Sequence, residues 1–171
     1  EEAKLQEIDV HQSLDTTLNL LQGEIKNRIE IHRQYEPTPL IHCYASQINQ
    51  VFMNILSNAV QAIEGSGHIW ISTTALKDFK GSKDKRGWVQ VSIQDSGKGM
   101  SADVLEKIFD PFFTTKGVGQ GTGLGLSISY GIVQNHGGEI QARSEVGVGT
   151  EFIVIIPVYP PIQEKNPQPL S

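Results

Sequence analysis

A single cysteine, Cys43, stands among the 171 residues, which excludes an internal disulfide and any metal site built from several thiolates. It sits in Ile41-His42-Cys43-Tyr44, which reads as a strand, so a packed core thiol is expected. No apolar run approaches the length needed to span a bilayer, and Glu1-Glu2-Ala3-Lys4 does not read as a signal peptide. Positive charge is not in excess either. Fourteen Lys and Arg against nineteen Asp and Glu leave a formal net charge of -5, which argues against a nucleic-acid partner or an anionic membrane surface. No internal repeat is present. One cytoplasmic domain without nucleic-acid or membrane contact is the simplest reading, attached to a parent that is free to be membrane-anchored.

Periodicity divides the chain into three parts. Residues 1–9 are charged and helix-compatible, the end of a preceding helix or a linker. Residues 10–157 carry the domain. Residues 158–171 hold four of the eight prolines and few apolar residues, the composition of a disordered tail. Within the domain a helix is expected from Val10 to Lys26, with Leu14, Leu18 and Leu21 on one face. Alternation predicts strands at Ile29–Tyr35, about Leu40–Tyr44, Ile69–Leu76, Trp88–Gln94, Glu139–Ser144 and Glu151–Pro157. Helices are expected at about 46–63 and 124–135, the second closed by Gly137-Gly138. Residues 77–87 read as a solvated hairpin loop. The order of elements implies an α/β sandwich, a mixed, mostly antiparallel sheet with helices packed on one face.

The helix at 46–63 carries an unusual stripe. At about 100° per residue, Gln47, Gln50, Asn54, Ser57, Asn58 and Gln61 share about a third of the circumference. Ile48, Val51, Phe52, Ile55, Leu56, Ala59 and Ile63 cover most of the rest. The polar stripe bears no charge, whereas a solvent face would carry Lys and Glu. Asparagine is a poor helix former and is unfavourable to bury unpaired. Two readings follow: an internal hydrogen-bonded seam, or a wall facing a ligand. Amide oxygens can coordinate Mg2+ without adding negative charge beside a triphosphate. Asn58 is the residue best placed for that, with Asn54 one turn away.

Two glycine-rich stretches follow. Asp95-Ser96-Gly97-Lys98-Gly99 ends an alternating strand, where a carboxylate can accept a hydrogen bond from an exocyclic amine such as that of adenine. Gly97 and Gly99 lack Cβ atoms and would let backbone approach a flat ring. Gly117-Val118-Gly119-Gln120-Gly121-Thr122-Gly123-Leu124-Gly125 is neither a P-loop nor a dinucleotide fingerprint. It runs into a helix, and free N–H groups at a helix start suit phosphate. Phe109-Asp110-Pro111-Phe112-Phe113 precedes it, a cluster suited to a small core that anchors a lid. Lys116 is within reach of a terminal phosphate or is solvated surface.

Taken together, these segments resemble the catalytic domain of histidine kinases, in the fold shared with gyrase, MutL and the ninety-kilodalton heat-shock chaperone. Asn54 to Ala62 is similar to the family's asparagine box, Asp95 to Gly99 to its first glycine box, and Phe109 to Phe113 to its phenylalanine box. Gly119 to Gly125 resembles the second glycine box, and Gly147 to Phe152 the last. Phe113-Thr114-Thr115-Lys116 looks most like the nitrogen-sensor type.

The resemblance implies a Bergerat-type ATP site. In it Asn58 would bind Mg2+, Asp95 would read the adenine amine with help from Thr150, and Gly97 and Gly99 would line the base pocket. Gly119, Gly121, Thr122, Gly123, Leu124 and Gly125 would close over the phosphates. Asn54 would support the metal or γ-phosphate region. Many family members place a lysine where Gln61 stands, which leaves Lys116 as the cation for the phosphates. ATP-hydrolysing branches place a glutamate at position 54 as general base. Asparagine has no useful basicity at neutral pH. The implied reaction is therefore transfer of the γ-phosphate to a histidine on the parent's own dimerisation domain, in a homodimeric sensor kinase, and onward to a response regulator. An ATP-hydrolysing conformational machine and a non-catalytic nucleotide-binding module are the alternatives.

None of the five histidines, His11, His32, His42, His68 and His136, has the context of a phosphoacceptor, a helix with a following acidic residue and an Arg-x-Pro run. His11 is the nearest candidate. Their spacing in sequence gives no metal-binding signature.

Overall fold

The computed structural model describes residues 4–82, 86–114 and 124–161. Asp9 opens the first helix, α1 (Val10–Leu20), its carboxylate accepting the His11 N–H at 2.9 Å. Val10, Leu14 and Leu18, spaced four apart, are fully buried. The helix expected to reach Lys26 breaks at Leu21, whose N–H is shared between the Thr17 and Leu18 carbonyls. One more turn, α2 (Gln22–Ile25), follows, and Asn27 then turns the chain in a left-handed conformation. Gly23, a poor helix former, stands in that short turn.

The segment before α1 differs from its reading. Gln6–Ile8 is a strand, β1, rather than part of a helix, and pairs antiparallel with β3 (Ile41–Cys43). Pairing with β3 gives these backbone groups partners. Cys43 is fully buried, and burial pushes its thiol up to about 11, so it is an unreactive core group, as expected.

The main sheet comprises β2 (Ile29–Tyr35), β4 (Gly67–Leu76), β5 (Trp88–Asp95), β6 (Glu139–Glu145) and β7 (Gly149–Pro157), in the order β2-β4-β5-β7-β6. Only the β2–β4 pair is parallel. Beside the sheet lies α3 (Ala45–Ala62), the central helix. Ile48, Val51, Phe52, Ile55 and Leu56 are all fully buried, and Ala59 and Ile63 nearly so, as the stripe required. α1 packs on one side of α3 and α5 (Gly125–Asn135) on the other. The inner face of the sheet, with Ile69, Ile71, Val89, Val91, Ile93, Phe152, Val154 and Ile156, closes this core. The expected sandwich with helices on one face is therefore present. On the outer face Trp88, Ile153 and Ile155 form a small apolar patch with Leu76 and Phe79.

One short helix and the start of the tail add to the elements expected from periodicity. Ser101 caps a one-turn helix, α4 (Ala102–Leu105), by accepting the Val104 N–H. The tail read as disordered from 158 is packed at its start: Val158 is buried and Tyr159 stacks on His42 with ring centroids 4.2 Å apart. The Val158 carbonyl also accepts the His42 N–H at 2.8 Å. Those contacts outweigh the local composition. Residues 162–171 lie outside the described residues.

Arg28 fastens the end of α3. Its guanidinium donates to the carbonyls of Ile63 (2.9 Å), Gly65 (3.0 Å), Val60 (3.2 Å) and Glu24 (2.7 Å). Val60 lies in the last turn of α3 and Ile63 is its C-cap, so these bonds supplement the few donors available at a helix end. Arg28→Ala is expected to lower the unfolding free energy by about 1–2 kcal/mol, read from the urea midpoint. Arg28→Lys should recover little, since one ammonium lacks the planar fork.

Candidate functional site

Alternation along β5 sends Val89, Val91, Ile93 and then Asp95 toward the helices. Asp95 is therefore a carboxylate at the end of an apolar row, 3% exposed. Burial raises its pKa above the usual carboxylate range; hydrogen bonds from the Gly97 N–H (2.8 Å) and the Thr150 N–H (3.3 Å) pull it back in part. Both bonds end on Oδ1. Thr150 is the register partner of Asp95 across the β5–β7 pair.

The glycines also have a reason within the chain itself. A Cβ on Gly97 would lie 2.5 Å from the Ala62 carbonyl oxygen at the end of α3. One on Gly99, which has φ +70°, would lie 2.0 Å from the Glu145 carbonyl oxygen. They permit crossings of this chain's own backbone. The loop after β5 thereby sits between α3 and β6, tied by the Lys98 N–H to the Ala62 carbonyl (3.1 Å) and the Gly147 N–H to the Lys98 carbonyl (2.8 Å).

Ser144 went unread. Its Oγ accepts the Met100 N–H (2.7 Å), donates to the Gly149 carbonyl (3.1 Å) and meets Thr150 Oγ1 at 2.8 Å. The available signal was alternation, since Ile140, Ala142 and Ser144 share one face of β6.

On α3 the hydrogen-bonded seam, one of the two readings of the amide stripe, is present at Asn54. Asn54 belongs to a seam: its Nδ2 donates to the Gly125 carbonyl (2.9 Å) and to Ser129 Oγ (3.0 Å), joining α3 to the first turn of α5. Ser129 is fully buried and was not read from the sequence. Asn58, one turn further along the same stripe, is half-buried. Asn54→Ala is expected to destabilise the fold by about 1–2 kcal/mol. Asn54→Asp should do no better, because its carboxylate would face the Gly125 carbonyl; thermal melts of both variants check this.

Helix α5 begins at Gly125, after Leu124, with no acidic residue in its first turn. Its positive dipole end therefore has no counter-charge from that turn. Phe109 packs against Tyr130 of α5 and Phe152 of β7, with centroids 5.4 and 6.5 Å away. Phe113 borders the core, while Phe112 is 72% exposed with φ 66°. Lys116, Gly119, Gly121, Thr122 and Gly123 lie outside the described residues. The fold thus brings the end of α3, the Asp95–Gly99 loop, Thr150 and the start of α5 into one region of its helical side. An open hollow of about 560 Å³ on the outer sheet face, lined by His32, Trp70 and Gln94 among others, is a separate feature.

The family model described as histidine kinase-, DNA gyrase B-, and HSP90-like ATPase matches residues 43–160, which include Asn54, Asp95 and Thr150. The chain belongs to that ATPase family. Sporulation kinase E of Bacillus subtilis (strain 168) is 36% identical over 164 residues, covering 94% of this chain and 21% of the relative. Sensor histidine kinase ZraS of Escherichia coli (strain K12) is 38% identical over 167 residues, covering 96% of this chain and 33% of the relative. The chain therefore spans only a minor part of these curated relatives. A nucleotide-free catalytic domain of histidine kinase ThkA superposes with a TM-score of 0.76 at 30% identity, covering 92% of this chain and 99% of that one. Within the ATPase family, the chain has the fold and extent of a histidine kinase catalytic domain. Among the described residues, no helix is long and apolar enough to cross a membrane.

Proposed function

We propose that this chain binds Mg-ATP between α3, the Asp95–Gly99 loop and α5, and donates the γ-phosphate to a histidine on the dimerisation domain of the same sensor kinase. The observation that carries the transferase reading is Asn54. Where ATP-hydrolysing branches of the fold have a glutamate, this chain has an amide whose nitrogen is committed to Gly125 and Ser129. No base stands there to activate water.

The donor set fits the nucleotide. A buried carboxylate with both backbone bonds on Oδ1 suits an exocyclic amine, so Asp95 reads adenine, supported by Thr150, Gly97 and Gly99. The uncharged amide oxygen of Asn58 is a hard donor suited to Mg2+, which when bound would offset phosphate charge. The start of α5, with no acidic residue in its first turn, presents the positive end of its dipole to the phosphates near Leu124 and Gly125. Lys116 and Gly119, Gly121, Thr122 and Gly123 complete the phosphate side on the strength of the sequence.

A neutral imidazole nitrogen is already a competent nucleophile. Its lone pair attacks the γ-phosphorus, the bond to the β–γ bridging oxygen breaks, and ADP departs with that electron pair. The protein contributes positioning and charge stabilisation. The phosphoryl group would then pass to an aspartate of a response regulator.

Mixing the chain with γ-labelled ATP and a separately made histidine-hairpin domain of its parent should label the hairpin. No label on the hairpin, with folding and ATP binding verified, would sink the transferase reading. Steady ATP hydrolysis without the hairpin would favour a conformational machine, and failure to bind Mg-ATP would leave a non-catalytic module.

A further inference from the structure

The five histidines are scattered in the sequence, yet the fold brings two of them together. β2 and β4 run parallel, with Glu30 opposite His68 and His32 opposite Trp70. Ile29, Ile31, Ile69 and Ile71 turn inward to the core. By alternation Glu30, His32, His68 and Trp70 therefore share the outer face, on the other side of the sheet from Asp95. This patch is outside the ATP machinery.

His32 Nε2 lies 2.9 Å from His68 Nδ1. The Glu30 carboxylate oxygen Oε2 lies 3.5 Å from that same His68 nitrogen and 3.9 Å from that same His32 nitrogen. All three distances thus join the same three atoms, each able to present a lone pair. A triangle with these edges has a centre about 2 Å from every corner, the ligation distance of Zn2+ to imidazole nitrogen and carboxylate oxygen. In a tetrahedral Zn2+ site such atoms are about 3.3–3.5 Å apart, a spacing that the edges here, 2.9, 3.5 and 3.9 Å, bracket. The side chains are partly exposed, 39% for His32, 46% for His68 and 68% for Glu30, so water can reach a fourth position.

We infer that Glu30, His32 and His68 form a binding site for a late first-row divalent cation of the Zn2+ class. Two imidazoles and one carboxylate select Zn2+, Ni2+ or Cu2+ over Mg2+ or Ca2+, whose preferred donors are all oxygen. The site is therefore distinct in chemistry, as well as in position, from the Mg2+ proposed at Asn58. It is rigidly based. His68 is held through its backbone, its N–H to Ser96 Oγ (2.8 Å) and its carbonyl to the Ser96 N–H (3.0 Å). Both imidazoles also stack on Trp70, with centroids 5.6 Å away for His32 and 5.5 Å for His68.

Trp70 makes the test optical. Titrating the full chain with Ni2+, a paramagnetic quencher, should quench tryptophan emission and saturate at one equivalent. Zn2+ should reverse the quenching by competition, and excess Mg2+ should not. His32→Ala and His68→Ala should each weaken Ni2+ and Zn2+ binding at least about tenfold, since even outer-shell losses have effects of that size. Glu30→Gln should weaken it less. Trp70→Phe should lose most of the quenching yet keep Zn2+ affinity by calorimetry. All four positions are on the surface, and urea midpoints verify that the variants fold. The inference is overturned if the folded chain binds neither ion, or if a His32→Ala/His68→Ala double variant binds Zn2+ as tightly as the parent. The second outcome would assign binding to other residues.

Discussion

Asp95→Asn should lower ATP affinity by about a hundredfold, roughly 3 kcal/mol, while leaving the fold as stable or more so. The asparagine oxygen can still accept the Gly97 and Thr150 N–H groups, which fixes the orientation of the amide. Its NH2 then points where the carboxylate had an acceptor, and donor meets donor at the adenine amine. A charge-assisted bond is lost and an unfavourable contact replaces it. Stability should move the other way, because burial at 3% exposure disfavours the charged form of the carboxylate. Calorimetry with ATP and a thermal melt on the same sample check both signs. An equal fall in stability and affinity would mean that Asp95 is only a structural group.

The same residue predicts a pH dependence. Burial raises its pKa, so recognition by the carboxylate fades at a higher pH than that at which an exposed aspartate takes up its proton. The folded chain holds that proton more tightly than the unfolded chain. Asp95's own contribution to stability therefore rises as pH falls through the folded value, and base selectivity falls in that same window. The ratio of ATP to inosine triphosphate affinity isolates the base, since the phosphates are common to both. It should drop on acidification, because the protonated carboxyl can donate to the inosine carbonyl.

Much of this site was legible because it lies at the ends of strongly periodic elements. Alternation from Val89 to Ile93 gave the strand and placed Asp95 on its inner face. The apolar girth of α3 identified seven residues that prove buried. What escaped depends on partners far along the chain. Asn54 meets Gly125 and Ser129, 71 and 75 positions away, and no local pattern distinguishes a seam from a ligand wall. β1 is three residues long and exists because β3 offers it an edge. His32 and His68 are 36 positions apart and become neighbours only through parallel register. At Gly97 and Gly99 the chain's own backbone also makes a close approach, which no local pattern reveals. Local periodicity reports which face is buried; it does not report what lies across that face.

That distinction gives the largest expected effect on stability, at Gly149. Its φ is +146°, and a Cβ there would lie 1.9 Å from the Asp95 carbonyl oxygen, 2.9 Å from the carbonyl carbon and 3.3 Å from Ser96 Cα. All three are backbone atoms, so no side chain can rotate away. The β5–β7 pair would have to separate where Asp95 faces Thr150, the pair that holds the carboxylate. Gly149→Ala should therefore lower the unfolding free energy by about 3–4 kcal/mol, at the severe end for one substitution. Gly147 is the control within the same turn. It also has positive φ, +80°, but no atom lies within 4 Å of its added Cβ, so Gly147→Ala incurs only the left-handed penalty of about 1–2 kcal/mol. Urea unfolding of the two variants should differ by about 2 kcal/mol on these terms. At a temperature where both are folded, Gly149→Ala should also reduce discrimination between ATP and inosine triphosphate, while Gly147→Ala retains it. Equal stability of the two variants would show that the crossing at Asp95 is slack and that glycine is there for φ alone.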